Sequence, residues 1–568
     1  MLAFSPAQAQ RDTVELRLIE TTDVHGSFFP YDFMNRREKG GSMARICTYV
    51  KNQRQKYGDN LLLLDNGDIL QGQPTNYFYN YVNTDDTNIA ADIVNYMHYD
   101  AQTVGNHDVE PGHDVYDKWI SEVSCPVLGA NVVDASTGAP YLKPYAVFQR
   151  SGLKIAVLGM LTPAIPNWLA PDIWSGLRFD NMVESARYWV DRIQKEEQPD
   201  VLIGLLHSGR NGGISTPTYE ENATEQVARQ VPGFDLIFYG HDHRRQNFMT
   251  ENIEGNHVLC LNPANNAMNV AAATIEVIRE NGEIVEKNIE GKIVSMNGQD
   301  VDADFMAHFK PHIKKIESFV NRKIGTLSKT IYSRDGFFGD SEMNDLILNM
   351  ELKITNADIA INAPLSFNAV LNKGDIMMSD MFKLYRYENR LYVMDLTGEE
   401  LKGHLEMSYA LWTNQMKSKD DHLLLLSADK DNGDERAGFV NPTFNFDSAA
   451  GIDYEVDVTK PEGQKVTILR MSNGQPWDPK KHYRVALNSY RANGGGELLT
   501  KGAGIDKDSL ESRILWRSDR DLRYYLMKEI ENEEYIDPVI NDNWRFIPRA
   551  WTIPAGERDR ELIFGKEK

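Results

Sequence analysis

Five apolar segments of this chain each run directly into aspartate, histidine or asparagine, and this pattern constrains the fold most. The polar residues at these ends are Asp23 and His25, Asp68, Asn106, His207, and His241 with His243. Apolar runs of this kind are typical of strands that are covered on both faces. Ligands of open α/β sheets bind at the carboxyl ends of the strands. The pattern therefore predicts a layered α/β domain with a ligand site at one sheet edge.

Segments with helical periodicity separate the predicted strands, which supports the α/β class. The strands are expected at residues 14–20, 60–65, 101–105, 154–160, 201–206, 236–239 and 257–261. One helix should begin after Ser42 as its N-cap and end at Gly58. A chain of 568 residues is too long for one core, so two domains are expected.

Charge and cysteine content narrow the class of protein. The net charge is −22, from 83 acidic and 61 basic side chains, which argues against polymeric nucleic acid as a partner. A small phosphate ester stays compatible, because a bound cation can invert the local field. No apolar run approaches the ~20 residues of a membrane span. Cys47, Cys125 and Cys260 have no metal or disulfide spacing and are expected to be buried free thiols.

The residues at the strand ends are suited to metal binding. Carboxylate, imidazole and amide ligands suit Zn, Mn, Fe or Co, and the lack of cysteine argues against a thiolate zinc site. Seven ligands exceed one four-coordinate ion and fit two ions with a bridging carboxylate. Side chains alternate with period 2 in extended chain, so Asp23 and His25 should face one side, as should His241 and His243.

Each segment taken singly has a simpler explanation. Asp23 could cap a turn, and His207 after an apolar strand is more often a satisfied core histidine. Five such strand ends in one chain are hard to obtain by accident, so the set favours the metal site.

The order D-x-H, G-D, G-N-H-D, H and G-H-x-H resembles the calcineurin-like metallophosphoesterases over about residues 12–300. The resemblance implies a four-layer α/β/β/α sandwich. It also implies two divalent ions (Zn, Mn, Co or Fe) that share Asp68. One ion would be held by Asp23, His25, Asp68 and His243, and the other by Asp68, Asn106, His207 and His241.

The same resemblance suggests a catalytic dyad. His107 follows the ligand Asn106 and could stabilise charge or protonate the leaving oxygen. Related nucleotidases read like G-N-H-E-F-D, where the third residue after the histidine orients it. Here that position is Glu110, and Asp108 stands where the family has glutamate. We expect a His107–Glu110 dyad, with Asp108 supporting the site from behind.

Residues 325–550 resemble the 5′-nucleotidase C-terminal domain, through "NADIAINAP" and "YRVALNSYRANGGGELL". This α+β domain binds the substrate base between two aromatic rings in the family, and any base has a face to stack on. The matching positions are Tyr490 and either Phe444 or Phe446, with Asn493 beside them. The residues alone would favour buried phenylalanines in "FNFD".

The substrate branch follows from a missing arginine. Members that cleave 5′-nucleotides carry an N-x-G-G-x-R-like motif, whereas this chain reads "INAPLSFNAVLNK". Arginine is suited to bidentate phosphate recognition. The chain resembles instead the bacterial 2′,3′-cyclic-nucleotide 2′-phosphodiesterase/3′-nucleotidases. A 5′-nucleotidase or UDP-sugar hydrolase is the alternative enzyme. A non-catalytic nucleotide-binding protein is disfavoured because all seven ligands are present.

The resemblance also sets the expected organisation. We expect a metallophosphoesterase domain at 11–299, a connecting helix at 300–324 that Pro311 kinks, and a substrate domain at 325–550, with the helix as a hinge. Ala7-Gln8-Ala9 resembles a signal cleavage site, although an ordinary N-terminus explains it equally. Because the family is usually exported, residues 1–9 suggest a signal remnant and a periplasmic or exported protein. We expect a monomer acting on a small nucleotide.

Overall fold

The computed structural model describes residues 11–427 and 438–565. The suspected signal remnant at residues 1–9 lies outside this range. The chain forms two compact units. The first contains the chain up to Ile165 together with Pro171–Ile316, and the second contains Pro166–Ala170 together with the chain from Glu317 onward. In the described ranges, no helix is long and apolar enough to cross a membrane.

Two six-stranded sheets form the centre of the first unit. In spatial order, the first sheet contains the strands Glu283–Ser295, Asn269–Glu280, Arg11–Thr21, Leu61–Asp65, Ala101–Thr103 and Val127–Leu128. The second sheet contains the strands Arg245–Glu251, His257–Pro263, Leu236–Tyr239, Val201–His207, Leu153–Leu161 and Tyr145–Arg150. Their inner faces share one apolar core, which includes Leu18, Leu64, Val157 and Leu205.

Helices cover the outer faces of both sheets. The α-helices of this unit, with the last crossing its boundary, are Met43–Tyr57, Pro74–Tyr77, Ile89–Met97, Asn106–Val109, His113–Glu122, Met182–Glu196, Thr224–Gln230, Ala303–His308 and Lys310–Val320. Met43–Tyr57 packs on the first sheet, and Met182–Glu196 packs on the second. The predicted four-layer α/β/β/α sandwich is confirmed.

Local sequence explains where several elements begin and end. The hydroxyl of Ser42 accepts a hydrogen bond from the Arg45 amide at 3.3 Å, and the helix ends at Gly58, as expected. The predicted helix after residue 300 is two helices that meet at Phe309, with Pro311 in the first turn of the second. Proline is tolerated there because the amide of a first-turn residue has no partner within the helix. All three cysteines are free and buried.

The second unit is α+β. Its five-stranded sheet runs in the order Ser448–Ala450, Ile359–Asn362, His482–Asn488, Arg390–Thr397 and Ile514–Asp521. Smaller sheets are formed by Gly374–Met377, Lys323–Leu327 and Tyr535–Ile536, by Val466–Met471, Ile452–Asp457 and Trp544–Ile547, and by Ile331–Tyr332 and Val370–Leu371. The helices are Glu342–Thr355, Met378–Leu384, Gly398–Trp412, Ser489–Ala492, Leu522–Glu533 and Arg549–Phe564.

Candidate functional site

The seven proposed ligands all lie at strand ends of the first unit. In the first sheet, Asp23 and His25 follow the strand Arg11–Thr21, and Asp68 follows Leu61–Asp65. In the second sheet, His207 is the last residue of its strand, while His241 and His243 follow the strand Leu236–Tyr239. Asn106 opens a short helix after the strand Ala101–Thr103. The carboxyl-end edges of both sheets therefore supply the site.

One group of side chains could hold a metal ion. Asp23, His25, Asp68 and His243 each offer a ligand atom, and these atoms lie within 4.8 Å of one another. The Nε2 atoms of His25 and His243 are 3.0 Å apart, and His243 Nε2 lies 3.2 Å from Asp23 Oδ1. His25 Nε2 is 3.9 Å from Asp68 Oδ2. This is the set that was predicted for one ion.

The remaining ligands adjoin this group through Asp68. His207 Nε2 lies 3.3 Å from Asp68 Oδ2 and 3.2 Å from the side-chain oxygen of Asn106. His241 Nδ1 lies 2.8 Å from the same Asn106 oxygen. Asp68 thus stands between the two sets, as a bridging carboxylate must.

The backbone brings these residues together in an unexpected way. Asp23, His25, Asp68, His241 and His243 all have positive φ, between 47° and 74°. Asp23 and His25 do offer ligand atoms to one cluster, as expected. The expected cause, alternation in extended chain, is wrong for both pairs, because these residues lie in left-handed turns after the strands. Non-glycine residues rarely adopt this conformation, and such strain is concentrated at functional sites.

Because of these turns, the two histidines of the GHDH segment face different residues. His241 faces Asn106, whereas His243 faces Asp23 and His25. The two imidazoles therefore belong to different ligand sets.

Three imidazoles are oriented by hydrogen bonds at the nitrogen that faces away from the cluster. His25 Nδ1 donates to the Gln71 carbonyl at 3.1 Å, and His207 Nδ1 donates to the Asn66 carbonyl at 2.6 Å. His241 Nε2 donates to the Glu221 carboxylate at 3.0 Å. Each of these bonds fixes the tautomer and leaves the other nitrogen as a lone-pair donor toward the cluster.

The centre of the cluster is rich in acceptors, which fits a cation. Asp23 Oδ1 and Asp68 Oδ2 are buried without a hydrogen-bond partner among the described residues. They converge with imidazole nitrogens whose protons point elsewhere. Burial, helped by the charge of His243, lowers the pKa of His25 to about 4, so its imidazole is neutral at physiological pH. Buried lone pairs that face one another are costly unless a cation lies between them.

The predicted dyad is formed in the structure. His107 Nδ1 lies 2.5 Å from Glu110 Oε2, and the His107 amide donates to Asp68 Oδ1 at 2.8 Å. Burial alone would lower the pKa of His107. The charges of Asp68 and Glu110 outweigh it and raise this pKa to about 9. The imidazole is therefore protonated near neutral pH.

Asp108 has a structural position behind the site. Its fully buried carboxylate accepts hydrogen bonds from the amides of Asp68, Ile69, Leu70 and Gly105, at 2.7–2.8 Å. Because four amides occupy this carboxylate, it does not reach a substrate. It holds the loop of Asp68 instead, which is the supporting part expected for it.

The aromatic residues that were predicted to bind the base differ in how far they are buried. Phe446 is fully buried, and its ring stacks on Trp412 at 5.4 Å and 3°. The expectation that Phe446 could receive a base is therefore corrected, because both faces lie within the core. Phe444 and Tyr490 are half-buried, and their rings meet edge to face at 6.0 Å and 89°. Asn493 lies nearby on the same turn, where its amide donates to the Ser489 carbonyl at 2.7 Å.

The sequence did not indicate Glu221, Gln71 or Asn66. Gln71 and Asn66 act through backbone carbonyls, which leave no trace in side-chain type. Glu221 lies in a polar loop between His207 and His241, where one carboxylate among several carries no signal.

Two family models match the chain. Calcineurin-like phosphoesterase matches residues 16–245, and 5′-nucleotidase, C-terminal domain, matches residues 323–501. The 2′,3′-cyclic-nucleotide 2′-phosphodiesterase/3′-nucleotidase of Yersinia enterocolitica is 25% identical, over 96% of this chain and 90% of that protein. The trifunctional nucleotide phosphoesterase YfkN of Bacillus subtilis is 25% identical over 95% of this chain, which spans only 39% of that longer protein.

A solved structure shares the fold. The 5′-nucleotidase precursor of Thermus thermophilus aligns with a TM-score of 0.64 at 20% identity, over 94% of this chain and 99% of that one. The chain therefore contains a calcineurin-like phosphoesterase domain and a 5′-nucleotidase C-terminal domain, and it is a metal-dependent phosphoester hydrolase.

Proposed function

We propose that this protein opens 2′,3′-cyclic nucleotides to 3′-nucleotides and then removes the 3′-phosphate. The observation that carries the hydrolytic part is the convergence of ligand atoms of Asp23, His25, Asp68 and His243, in which Asp23 Oδ1 and Asp68 Oδ2 are buried without hydrogen-bond partners among the described residues. The nucleotide part is supported by the relatives from Yersinia enterocolitica and Haemophilus influenzae, which are named for this pair of reactions and match along 96% of the chain. Both reactions are attacks of water on phosphorus, so one site can perform them.

The metal ligands divide into two sets. Asp23, His25, Asp68 and His243 would hold one divalent ion, and Asp68, Asn106, His207 and His241 would hold the other. When bound, two such ions polarise the phosphate and lower the pKa of water. Mixed nitrogen and oxygen ligands leave Zn, Mn, Co and Fe as candidates.

His107 would supply the proton for the leaving oxygen. In the first reaction water adds to phosphorus, the bond from phosphorus to the 2′-oxygen breaks, and that oxygen takes a proton. The charge of Glu110 favours the protonated form of His107, and the hydrogen bond between the two side chains orients the ring. The 27% exposure of the His107 side chain lets a substrate reach it.

Phe444 and Tyr490 would receive the base, with Asn493 beside them. Their present edge-to-face contact at 6.0 Å leaves no gap between parallel ring faces, so one ring must turn when a base enters. Stacking on aromatic rings tolerates every base.

The main alternative is hydrolysis of 5′-nucleotides or UDP-sugars on the same metal site. The segment after the strand Ile359–Asn362 has no arginine where 5′-nucleotide-cleaving relatives carry one, which favours the cyclic-nucleotide branch. A non-catalytic nucleotide-binding protein would not need the complete ligand set and the dyad.

Product analysis tests the proposal. Purified protein supplied with Mn²⁺ or Zn²⁺ should convert 2′,3′-cyclic AMP to 3′-AMP and then to adenosine. Chromatography of samples taken over time measures the three compounds. Removal of metal by a chelator should stop both steps, and added Mn²⁺ should restore them. Unchanged 2′,3′-cyclic AMP in the presence of metal would contradict the proposal.

Three further properties belong to the proposal. We expect domain boundaries at 11–299, 300–324 and 325–550, which limited proteolysis between the units would test.

We expect an exported or periplasmic protein, which N-terminal sequencing of the secreted form would test. We expect a monomer, because all proposed ligands come from one chain, and light scattering measures this directly.

A further inference from the structure

We infer that Arg491 is a positioning residue that sets the geometry of the two rings, Phe444 and Tyr490, between which the base binds. The inference rests on the proposed function, since it gives these rings their part in recognition. It adds a residue that acts through others and does not itself touch the substrate.

All five N–H groups of the Arg491 side chain have acceptors. The guanidinium binds the Asp447 carboxylate with Nε and Nη2, at 2.8 and 3.1 Å. Nη1 donates to the side-chain oxygen of Asn445 at 3.1 Å and to the Gly495 carbonyl at 2.5 Å. Nη2 also donates to the Phe444 carbonyl at 2.9 Å. A guanidinium has five donors in a rigid plane, so this arrangement is fixed in every direction.

These bonds connect the two backbone segments that carry the rings. Phe444 lies in the short turn Thr443–Asn445, and Tyr490 lies in the helix Ser489–Ala492 beside Arg491 itself. The carbonyl of Phe444 and the carbonyl of Gly495 both accept hydrogen bonds from one side chain that is 2% exposed. The spacing of the segments is therefore set by the guanidinium from within the core.

The glycines after Tyr490 fit this function. A Cβ on Gly495 would lie 2.5 Å from the Tyr490 ring, so glycine lets the chain pass directly against that ring. A Cβ on Gly496 would lie 2.4 Å from Arg491 Nη1 and 2.1 Å from the Asn445 side-chain oxygen. Side chains at these positions would displace either the ring or the guanidinium.

The buried ion pair of Arg491 and Asp447 is expected to add little to the stability of the fold. Its role is therefore to fix the geometry of the segments that it connects. Apolar residues of similar volume often replace a buried pair without loss of stability. Here Asp447 also accepts a hydrogen bond from His404 Nε2 at 2.8 Å, which anchors the pair to the helix Gly398–Trp412. The network therefore links the ring-bearing turns to a long helix.

The test is Arg491→Lys, assayed by binding of adenosine and by kinetics. Lysine keeps the charge beside Asp447 but cannot span both carbonyls. We expect roughly ten-fold weaker binding of adenosine and a roughly ten-fold higher KM for 3′-AMP, within the range of one stacked base. The kcat for 3′-AMP and the kcat/KM for the base-free ester glycerol 2-phosphate should change less than about two-fold.

A matched control is Arg17→Lys. Arg17 is a buried arginine of the first unit that donates to Thr274 and Tyr49, and it is far along the chain from both rings. This variant should bind adenosine and 3′-AMP as the wild type does.

Each other outcome has a defined meaning. Unchanged binding of adenosine by a folded Arg491→Lys variant overturns the inference. An equal loss of kcat/KM for 3′-AMP and for glycerol 2-phosphate also overturns it, because that result would indicate a purely structural effect. If the wild type itself does not bind adenosine, the proposed base site fails first. Should Arg491→Lys not fold, Asn445→Ala decides the question, because it removes one acceptor of the guanidinium and should weaken adenosine binding in the same direction.

Discussion

At the scale of single residues, the site depends on side chains that are held by a second partner. Glu110 holds His107, Glu221 holds His241, and backbone carbonyls hold His25 and His207. A ligand or proton donor that is fixed in this way loses little conformational entropy when it acts. The partners should therefore influence activity without touching the substrate.

The Glu110→Gln variant tests the dyad through pH. Glu110 raises the pKa of His107 through its charge and its hydrogen bond, so removing the charge should lower that pKa. The protonated form acts, so the alkaline limb of kcat/KM should move to lower pH, by about one unit. The matched control is Asp117→Asn, beside His113 at 3.0 Å on the next helix, which should leave the pH profile in place. An unmoved limb in Glu110→Gln would refute the dyad.

At the scale of elements, turns at strand ends place the ligands, and small residues make room for them. A Cβ on Gly105 would lie 2.1 Å from Asp68 Oδ1 and 2.6 Å from the Asp68 amide. Gly105 caps the helix that carries Asn106 and His107. The close approach of this helix to the Asp68 turn therefore requires glycine.

The Gly105→Ala variant should displace Asp68 and weaken Mn²⁺ binding by roughly ten-fold or more, because the shared carboxylate contributes to both ligand sets. Calorimetric titration of the metal-depleted protein measures this. Gly556→Ala is the control, since a Cβ at Gly556 meets atoms only at 3.4 Å and beyond. Tight Mn²⁺ binding by Gly105→Ala would show that the turn tolerates a side chain.

Asp108 supports the same turn from below. Replacing it with asparagine turns an NH₂ group toward two backbone donors, so we expect a loss of about 3 kcal/mol in the free energy of unfolding. Urea denaturation measures the loss. The exposed Asp59→Asn should change the free energy by less than about 0.5 kcal/mol. A fully stable Asp108→Asn would mean that these four hydrogen bonds are dispensable.

The strands that carry the site were predictable, and the strands at the sheet edge were not. The seven predicted strands agree within a few residues, because buried strands are continuously apolar. The hairpin of Asn269–Glu280 and Glu283–Ser295 was missed. The first of these strands is rich in alanine, which favours helix, and the second is an edge strand that exposes most of its charged residues.

The site was predictable in its residues but not in its geometry. Ligand types at strand ends identify the cluster, because chemistry restricts them to aspartate, histidine and asparagine. The left-handed turns of Asp23 and His241 were not expected, since non-glycine residues rarely adopt them. The burial of Phe446 beside Trp412 depends on tertiary packing that no local pattern records.

At the scale of the whole molecule, metal binding should raise the thermal stability of the first unit. Buried oxygen atoms of Asp23 and Asp68 converge without hydrogen-bond partners among the described residues, and a bound cation would neutralise them, so metal-depleted protein should melt at a lower temperature. A free metal concentration of 100 times the Kd raises the free energy of unfolding by about 2.7 kcal/mol. Scanning calorimetry with and without chelator measures this shift, and Asp68→Asn should abolish most of it. An identical melting temperature with and without metal would speak against a built metal site.

We propose that the metal site of the whole molecule acts on cyclic and 3′-nucleotides. The most direct measurement compares kcat/KM for 2′,3′-cyclic AMP, 3′-AMP and 5′-AMP with the Mn²⁺-loaded protein. We expect kcat/KM for each of the first two substrates to exceed that for 5′-AMP by at least about ten-fold. Residues 363–373, directly after the strand Ile359–Asn362, contain no arginine to bind a 5′-phosphate. A preference for 5′-AMP would contradict the proposed substrate and leave only the hydrolytic metal site standing.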